Sequence, residues 1–221
     1  MRVAVSGSGG FIGTALCASL QAEGHEVVRL VRREATDILE AQWDPARGHL
    51  DAGVLTGVEA VVNLSGAGIG QRRWSRSYRR VIHDSRIRST ALLASALAQL
   101  PEPPRVFVSA SGISLYGPDR DAEALHEDSA AGEGFLASLC EEWEHAAAPA
   151  RAAGVAVCHP RFGIVMDRGG GALGAMLPLF SWGLGGSLGG DTSSGARSHC
   201  TTPSGRSASS SKNTAVWVPT T

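Results

Sequence analysis

The chain has 221 residues, with 20 Lys+Arg against 21 Asp+Glu and 43% apolar side chains. That length and apolar share suffice for one buried core, and the even charge argues against a nucleic-acid or anionic-membrane surface. No apolar run is long enough to span a bilayer and the N-terminus enters a strand without a signal peptide, so a cytoplasmic protein is expected.

Residues 2–5 read as a short buried strand. Gly7, Gly10 and Gly13 follow at G-x-x-G-x-x-G spacing, and residues 14–22 read as the next helix. The turn Gly7, Ser8, Gly9, Gly10, Phe11, Ile12 and Gly13 therefore offers backbone N–H groups at a helix N-terminus, where the dipole favours an anion such as a pyrophosphate. A Cβ at Gly7 or Gly10 would obstruct the turn or the phosphates, and one at Gly13 would push the helix off the strand. A ligand-free glycine turn has the same spelling; the strand–turn–helix context favours a dinucleotide.

Residues 25–31 (HEVVRLV) read as a second strand after Gly24 closes the helix. Its end is where an acidic residue would meet the 2′-hydroxyl of NAD. Arg32 and Arg33 stand there instead. Their planar donor forks suit a 2′-phosphate, so NADP(H) is favoured over NAD(H). The alternative is a pair of solvated surface charges. Residues 36–57 read as an irregular loop with a short helix over 50–55, because Trp43-Asp44-Pro45 and Gly48 break the pattern.

Residues 58–64 form a third buried strand, and the small-residue turn Leu64, Ser65, Gly66 and Ala67 lets a cofactor pass close to the backbone. Residues 72–88 are rich in arginine, but Trp74, Tyr78, Val81, Ile82 and Ser85 recur at helical spacing. One face reads as buried and the arginines as solvated, so no nucleic-acid partner is expected. Residues 90–100 continue the helix until Pro101, Pro103 and Pro104.

Residues 105–110 are the next strand. Ser109, Ser111 and Tyr116 crowd its carboxyl end, where chemistry sits in an open α/β sheet, and are the candidate catalytic groups. Glu127 lies in a polar loop over 119–134 and is a possible carboxylate partner. Residues 135–148 read as an amphipathic helix ended by Pro149, and 155–158 as a strand. Just beyond it, Arg161 is a candidate for a substrate anion, or else an exposed ion-pairing arginine. Gly169-Gly170-Gly171 reads as a turn and 172–180 as a helix. The cysteines, Cys17, Cys140, Cys158 and Cys200, lack metal-ligand or C-x-x-C spacing, which fits reduced thiols and no metal.

With these residues placed, the chain resembles the extended short-chain dehydrogenase/reductase superfamily, in its "epimerase family" branch named for nucleoside-diphosphate-sugar epimerases. The segments that carry the likeness are SGSGGFIG at 6–13, VVNLSGAGI at 61–69, RRW at 72–74 and SRIRST at 85–90. VSASGISLYG at 108–117, GFLASLCEEWE at 134–144, PRFGIVMDRGGGAL at 160–173 and GLGGSLG at 183–189 complete the series. The resemblance implies an α/β fold: a Rossmann-like doubly wound parallel sheet over 1–165 binding NADP(H), and the start of a small-molecule substrate region over 166–190. The superfamily's usual Tyr-x-x-x-Lys pair is missing, because its positions match Phe135 and Leu139, and neither can move a proton. Two functions stay open. One is an NADP(H)-dependent oxidoreductase or epimerase acting on a nucleotide-sugar-like or other small substrate. The other is a non-catalytic NADP(H)-binding sensor or scaffold.

Residues 191–221 change texture: Ser and Thr dominate, apolar residues are few, and Lys212 is the sole lysine of the chain. A disordered tail is one reading. A shifted reading frame is the other, since codons read one step off can spell an aliphatic strand end followed by an amphipathic helix. Sequencing the coding DNA decides between them.

Overall fold

Period-two alternation along short apolar runs decides the architecture. In the computed structural model the described residues are 1–118, 120, 124–167, 174, 181–182 and 197–198. In chain order the main elements are β1 (Arg2–Ser6), α1 (Phe11–Ala22), β2 (Glu26–Val31), β3 (Glu40–Asp44), β4 (His49–Leu50) and β5 (Ala60–Asn63). Then come α2 (Arg76–Ala98), β6 (Val106–Ser109), β7 (Ser111–Gly112), α3 (Phe135–His145), α4 (Ala148–Ala152) and β8 (Ala156–Cys158).

Seven strands form one sheet in the order β4-β3-β2-β1-β5-β6-β8, parallel except for β4, which runs antiparallel to β3. This is a Rossmann-like sheet. Val3, Val5, Val27 and Ala60 face one side, covered by Leu16, Cys17 and Leu20 of α1. Ala4, Val28, Leu30, Val61, Phe107 and Val157 face the other, against Leu93, Ala94 and Leu97 of α2 and Ala147 and Ala150 near α4. Each fully buried large side chain, such as Phe107 or Leu93, contributes roughly 1.5–3 kcal/mol. The strand order reverses between β1 and β5, and the crevice outside their carboxyl ends is where such sheets bind ligands.

The end of α1 follows a Schellman pattern. Gly24, at φ +79°, donates its N–H to Gln21 O, and His25 N–H reaches Leu20 O. α1 itself begins at Phe11, three residues before the position read from the sequence.

Two stretches differ from the sequence reading. Residues 36–57 hold the strands β3 and β4 and a 3-10 turn at Ala52–Leu55, where an irregular loop and a helix over 50–55 were expected. Ala41 and Trp43 point into the core, with Trp43 1% exposed, and Pro45 falls just past the strand, where no ladder donor is needed. Pro149 does not end the long helix. α3 stops at His145, and Pro149 lies in the first turn of α4, where a missing N–H costs nothing.

The chain divides into two units, Met1–Arg161 and Phe162–Val218. In the second, Ile164–Asp167 and Arg197–Ser198 pair as parallel strands. The turn expected at 169–171 lies outside the described residues, as do the helix over 172–180 except Gly174 and the tail over 191–221 except 197–198. Cys17, Cys140 and Cys158 are free thiols, and the described residues contain no metal-holding cluster and no helix long and apolar enough to cross a membrane.

Candidate functional site

The site begins at the first turn. Gly7 takes φ +70°, and a Cβ there would lie 2.7 Å from the Leu64 backbone. A Cβ on Gly13 would sit 2.1 Å from Gly7 O. Both glycines are thus demanded by the protein's own packing: the first lets the loops after β1 and β5 touch, the second seats α1. Gly9 and Gly10 differ. Gly9 has nothing within 4 Å of a built Cβ, and Gly10 has only Gly7 O at 3.2 Å. Both lie at the N-terminal end of α1, where a Cβ on Gly9 would meet open space.

That end is bare. Gly10 is the N-cap, no side chain among the described residues caps α1, and its first turn carries no acidic residue. The first-turn N–H groups of Phe11, Ile12 and Gly13 therefore await an acceptor, as the phosphates of a dinucleotide would provide. Gly13 is buried and Phe11 is exposed at the rim. Ser8 O accepts from Thr14 Oγ1 at 3.2 Å, which fixes the turn.

The loop after β5 is held from three sides. Leu64 N–H reaches Ser6 O at 3.1 Å. Ser85 Oγ accepts from Ala67 N–H at 2.9 Å, Arg86 Nη1 donates to Ala67 O at 3.0 Å, and Tyr78 Oη donates to Gly68 O at 2.6 Å. Burial lowers the pKa of Arg86, whose guanidinium sits beneath Gly66 and over the Trp143 ring. Ser85 and Arg86 belong to the SRIRST segment; what each of them holds was invisible until the helix was placed.

A buried polar chain crosses the sheet behind these loops. Ser65 Oγ donates to Ser6 Oγ at 3.1 Å and Ser6 Oγ to Asn63 Oδ1 at 2.6 Å. Asn63 Nδ2 and Trp143 Nε1 both donate to Thr90 Oγ1 at 2.9 Å. Ser109 joins at its end, 3.3 Å from Thr90 Oγ1, and is fully buried. The structure thus ties Ser109 into this polar chain, whereas Ser111 and Tyr116, also buried at 3% and 9% exposure, bond into a different cluster.

Ser111, Tyr116 and Arg161 are brought together by a residue the sequence reading passed over, Glu144. Arg161 donates Nε to Glu144 Oε1 at 2.8 Å and Nη2 to Oε2 at 2.9 Å, and Ser111 Oγ donates to Oε1 at 2.7 Å. Arg161 Nη1 reaches Tyr116 Oη at 2.7 Å and the backbone O of Glu127 at 2.8 Å. Glu127 thus contributes a carbonyl, and its own side chain is exposed. Burial pushes the Glu144 carboxyl up, but the hydrogen bonds from Arg161 and Ser111 outweigh it and hold it below the usual range. Glu144 raises Arg161 in turn. A groove of about 710 Å³, lined among others by Leu115, Glu144, His159 and Arg161, opens beside this cluster. His159 Nδ1 lies 3.1 Å from Ser109 O, and burial holds its pKa below the ordinary value. Glu144 had one sequence signal: it lies four residues after the buried Cys140, on the apolar face of α3.

Phe135 and Leu139 sit in an apolar cluster with Tyr78 and Ile82; the Phe135 ring meets Trp74 edge-on at 5.9 Å. Arg33 is clamped to Glu40, whereas Arg32 is exposed and makes no hydrogen bond or ion pair among the described residues.

The sequence and fold match known proteins. Residues 3–138 fit the model of the NAD dependent epimerase/dehydratase family. Epimerase family protein ML0860 of Mycobacterium leprae is 44% identical over 187 residues, 85% of this chain and 60% of the relative. The solved structure of human epimerase family protein SDR39U1 with NADPH has 36% identity and a TM-score of 0.76, covering 90% of this chain and 66% of that one. A nucleoside-diphosphate sugar epimerase of Corynebacterium glutamicum has 38% identity and a TM-score of 0.78, covering 90% of this chain and 41% of that one. The chain spans about 60% of the length of the mycobacterial relative. On the family match and the sheet order together, the chain belongs to the NAD dependent epimerase/dehydratase family.

Proposed function

We propose that the chain binds NADP(H) across the turns after β1 and β5 and serves an oxidoreductase or epimerase reaction on a nucleotide-sugar-like or other small substrate. The observation that carries this reading is the uncapped N-terminus of α1, with Gly9 and Gly10 leaving the approach to its amides free of side chains. The NADPH in the human relative's structure supports the nicotinamide assignment, and Arg32 beside Arg33 supports the phosphorylated form. Bound NADP(H) would supply or accept a hydride at a carbinol or keto carbon.

The chain's own part would fall to Ser111 and Tyr116. Tyr116 Oη receives a hydrogen bond from the Arg161 guanidinium, which orients the hydroxyl for proton exchange with a substrate oxygen. Ser111 would position that oxygen.

A second reading has its own observation. Phe135 and Leu139 fill the places of the superfamily's proton-transferring pair with packed apolar groups, which favours a non-catalytic NADP(H)-binding protein. A screen of small carbonyl and nucleotide-sugar compounds, followed by NADPH absorbance, separates the two. Turnover that falls in Tyr116→Phe supports the enzyme. Saturable NADPH binding with no turnover across the screen supports the binder, and no binding rejects both.

A further inference from the structure

Glu40 opens β3 directly beside Arg29 of β2 and is buried. Its carboxylate takes Arg33 in a fork, Nη1 to Oε2 at 2.8 Å and Nη2 to Oε1 at 2.6 Å. Thr36 adds its backbone N–H at 3.1 Å and Oγ1 at 3.2 Å, both to Oε2, and Arg29 Nη2 lies 3.4 Å from Oε1. These donors use the lone pairs the carboxylate has. On the other side, Arg33 Nη1 also donates to Glu34 O at 2.8 Å. The turn after β2 is thus tied at Arg33 and Thr36 to one buried acid, and Arg33, 57% exposed, has its donor fork taken up by that acid. Arg32, one residue earlier, is exposed and makes no hydrogen bond or ion pair among the described residues.

We propose that Glu40 is a positioning residue that withdraws Arg33 from ligand contact, stiffens the turn and leaves Arg32 as the guanidinium that reads the 2′-phosphate of NADP(H). The inference rests on the NADP(H) reading above and divides its two candidate arginines into a ligand and a strut. A fork–fork pair spends the planar donor geometry that makes arginine a phosphate ligand, and only the unpaired arginine keeps it.

The test is the ratio of NADH to NADPH dissociation constants, measured by nucleotide fluorescence on the whole chain and four variants. Arg32→Ala weakens NADPH at least about tenfold and leaves NADH nearly unchanged, so the ratio falls toward one. Arg33→Ala leaves the ratio within about threefold of the parent, because a strut supports both nucleotides alike. The Arg33→Ala/Glu40→Gln double variant removes the unpaired acid and gives the same ratio, should the single variant fold poorly. Glu40→Gln frees Arg33 and raises the ratio. Collapse of the ratio in Arg33→Ala or in the double variant overturns the proposal while leaving NADP(H) binding intact. A parent chain that binds both nucleotides equally rejects the 2′-phosphate reading itself, and one that binds neither rejects the cofactor.

Discussion

Arg161 and Glu144 face each other through two parallel hydrogen bonds, 2.8 and 2.9 Å, although 17 residues separate them. Ser111 and Tyr116 complete the cluster, so one ion pair orients both hydroxyls proposed to meet substrate. Replacing Glu144 by Gln leaves a cation without its carboxylate. The expected cost is about 2 kcal/mol, below the range for fully buried pairs, since the two side chains are 19% and 18% exposed. A lower urea midpoint at unchanged slope reads this directly.

The first turn separates packing from binding. Gly13→Ala drives a Cβ to 2.1 Å from Gly7 O and is expected to destabilise by about 2–3 kcal/mol. Gly9→Ala meets nothing within 4 Å and is expected to stay within about 0.5 kcal/mol of the parent. Thermal unfolding of the two variants side by side checks the contrast.

Thr90 Oγ1 is the acceptor shared by Asn63 and Trp143. Thr90→Val strands both donors in the core, an expected loss of about 2–3 kcal/mol. Thr90→Ser keeps the acceptor and loses a methyl group, about 1 kcal/mol. Equal losses in the two variants would show that the hydroxyl is not what holds this junction together.

Two titrations have opposite signs. Arg33 and Thr36 draw the Glu40 carboxyl from 4.5 down to about 2, so its stabilisation is complete above 4.5 and is lost as pH falls toward 2. Glu40→Gln removes that part of the acid limb. His83 of α2 bonds Glu142 of α3 at 2.8 Å and Asp84 at 3.1 Å, and Glu142 raises its pKa above 6.5. Its stabilisation is therefore complete below 6.5 and lost as pH rises through the folded value. Proton NMR of the His83 ring should show the raised pKa, and Glu142→Gln should bring it back toward 6.5.

Local pattern gave most of the sheet. The strands β1, β2, β5, β6 and β8 are apolar runs bounded by Gly, Pro or polar turns, and the glycine turn announced the start of α1. β3 escaped because EAQWD carries charges at both ends; Glu40 is tolerated there only because Arg33, Arg29 and Thr36, residues outside the strand, satisfy it. Pro149 misled because proline reads alike at the end of one helix and in the first turn of another. The residues that organise the site, Glu144, Thr90 and Arg86, bond partners set by the fold, so only the strand order and helix packing expose them.

The central claim is that a dinucleotide's diphosphate rests on the amides at the start of α1. Titration of the folded chain with NADPH, followed by nucleotide fluorescence, tests it most directly when paired with Gly10→Val. The account predicts saturable binding by the parent and at least about tenfold weaker binding by the variant, with circular dichroism unchanged. A folded parent chain that binds neither NADPH nor NADH, or a variant that binds as the parent does, would contradict it.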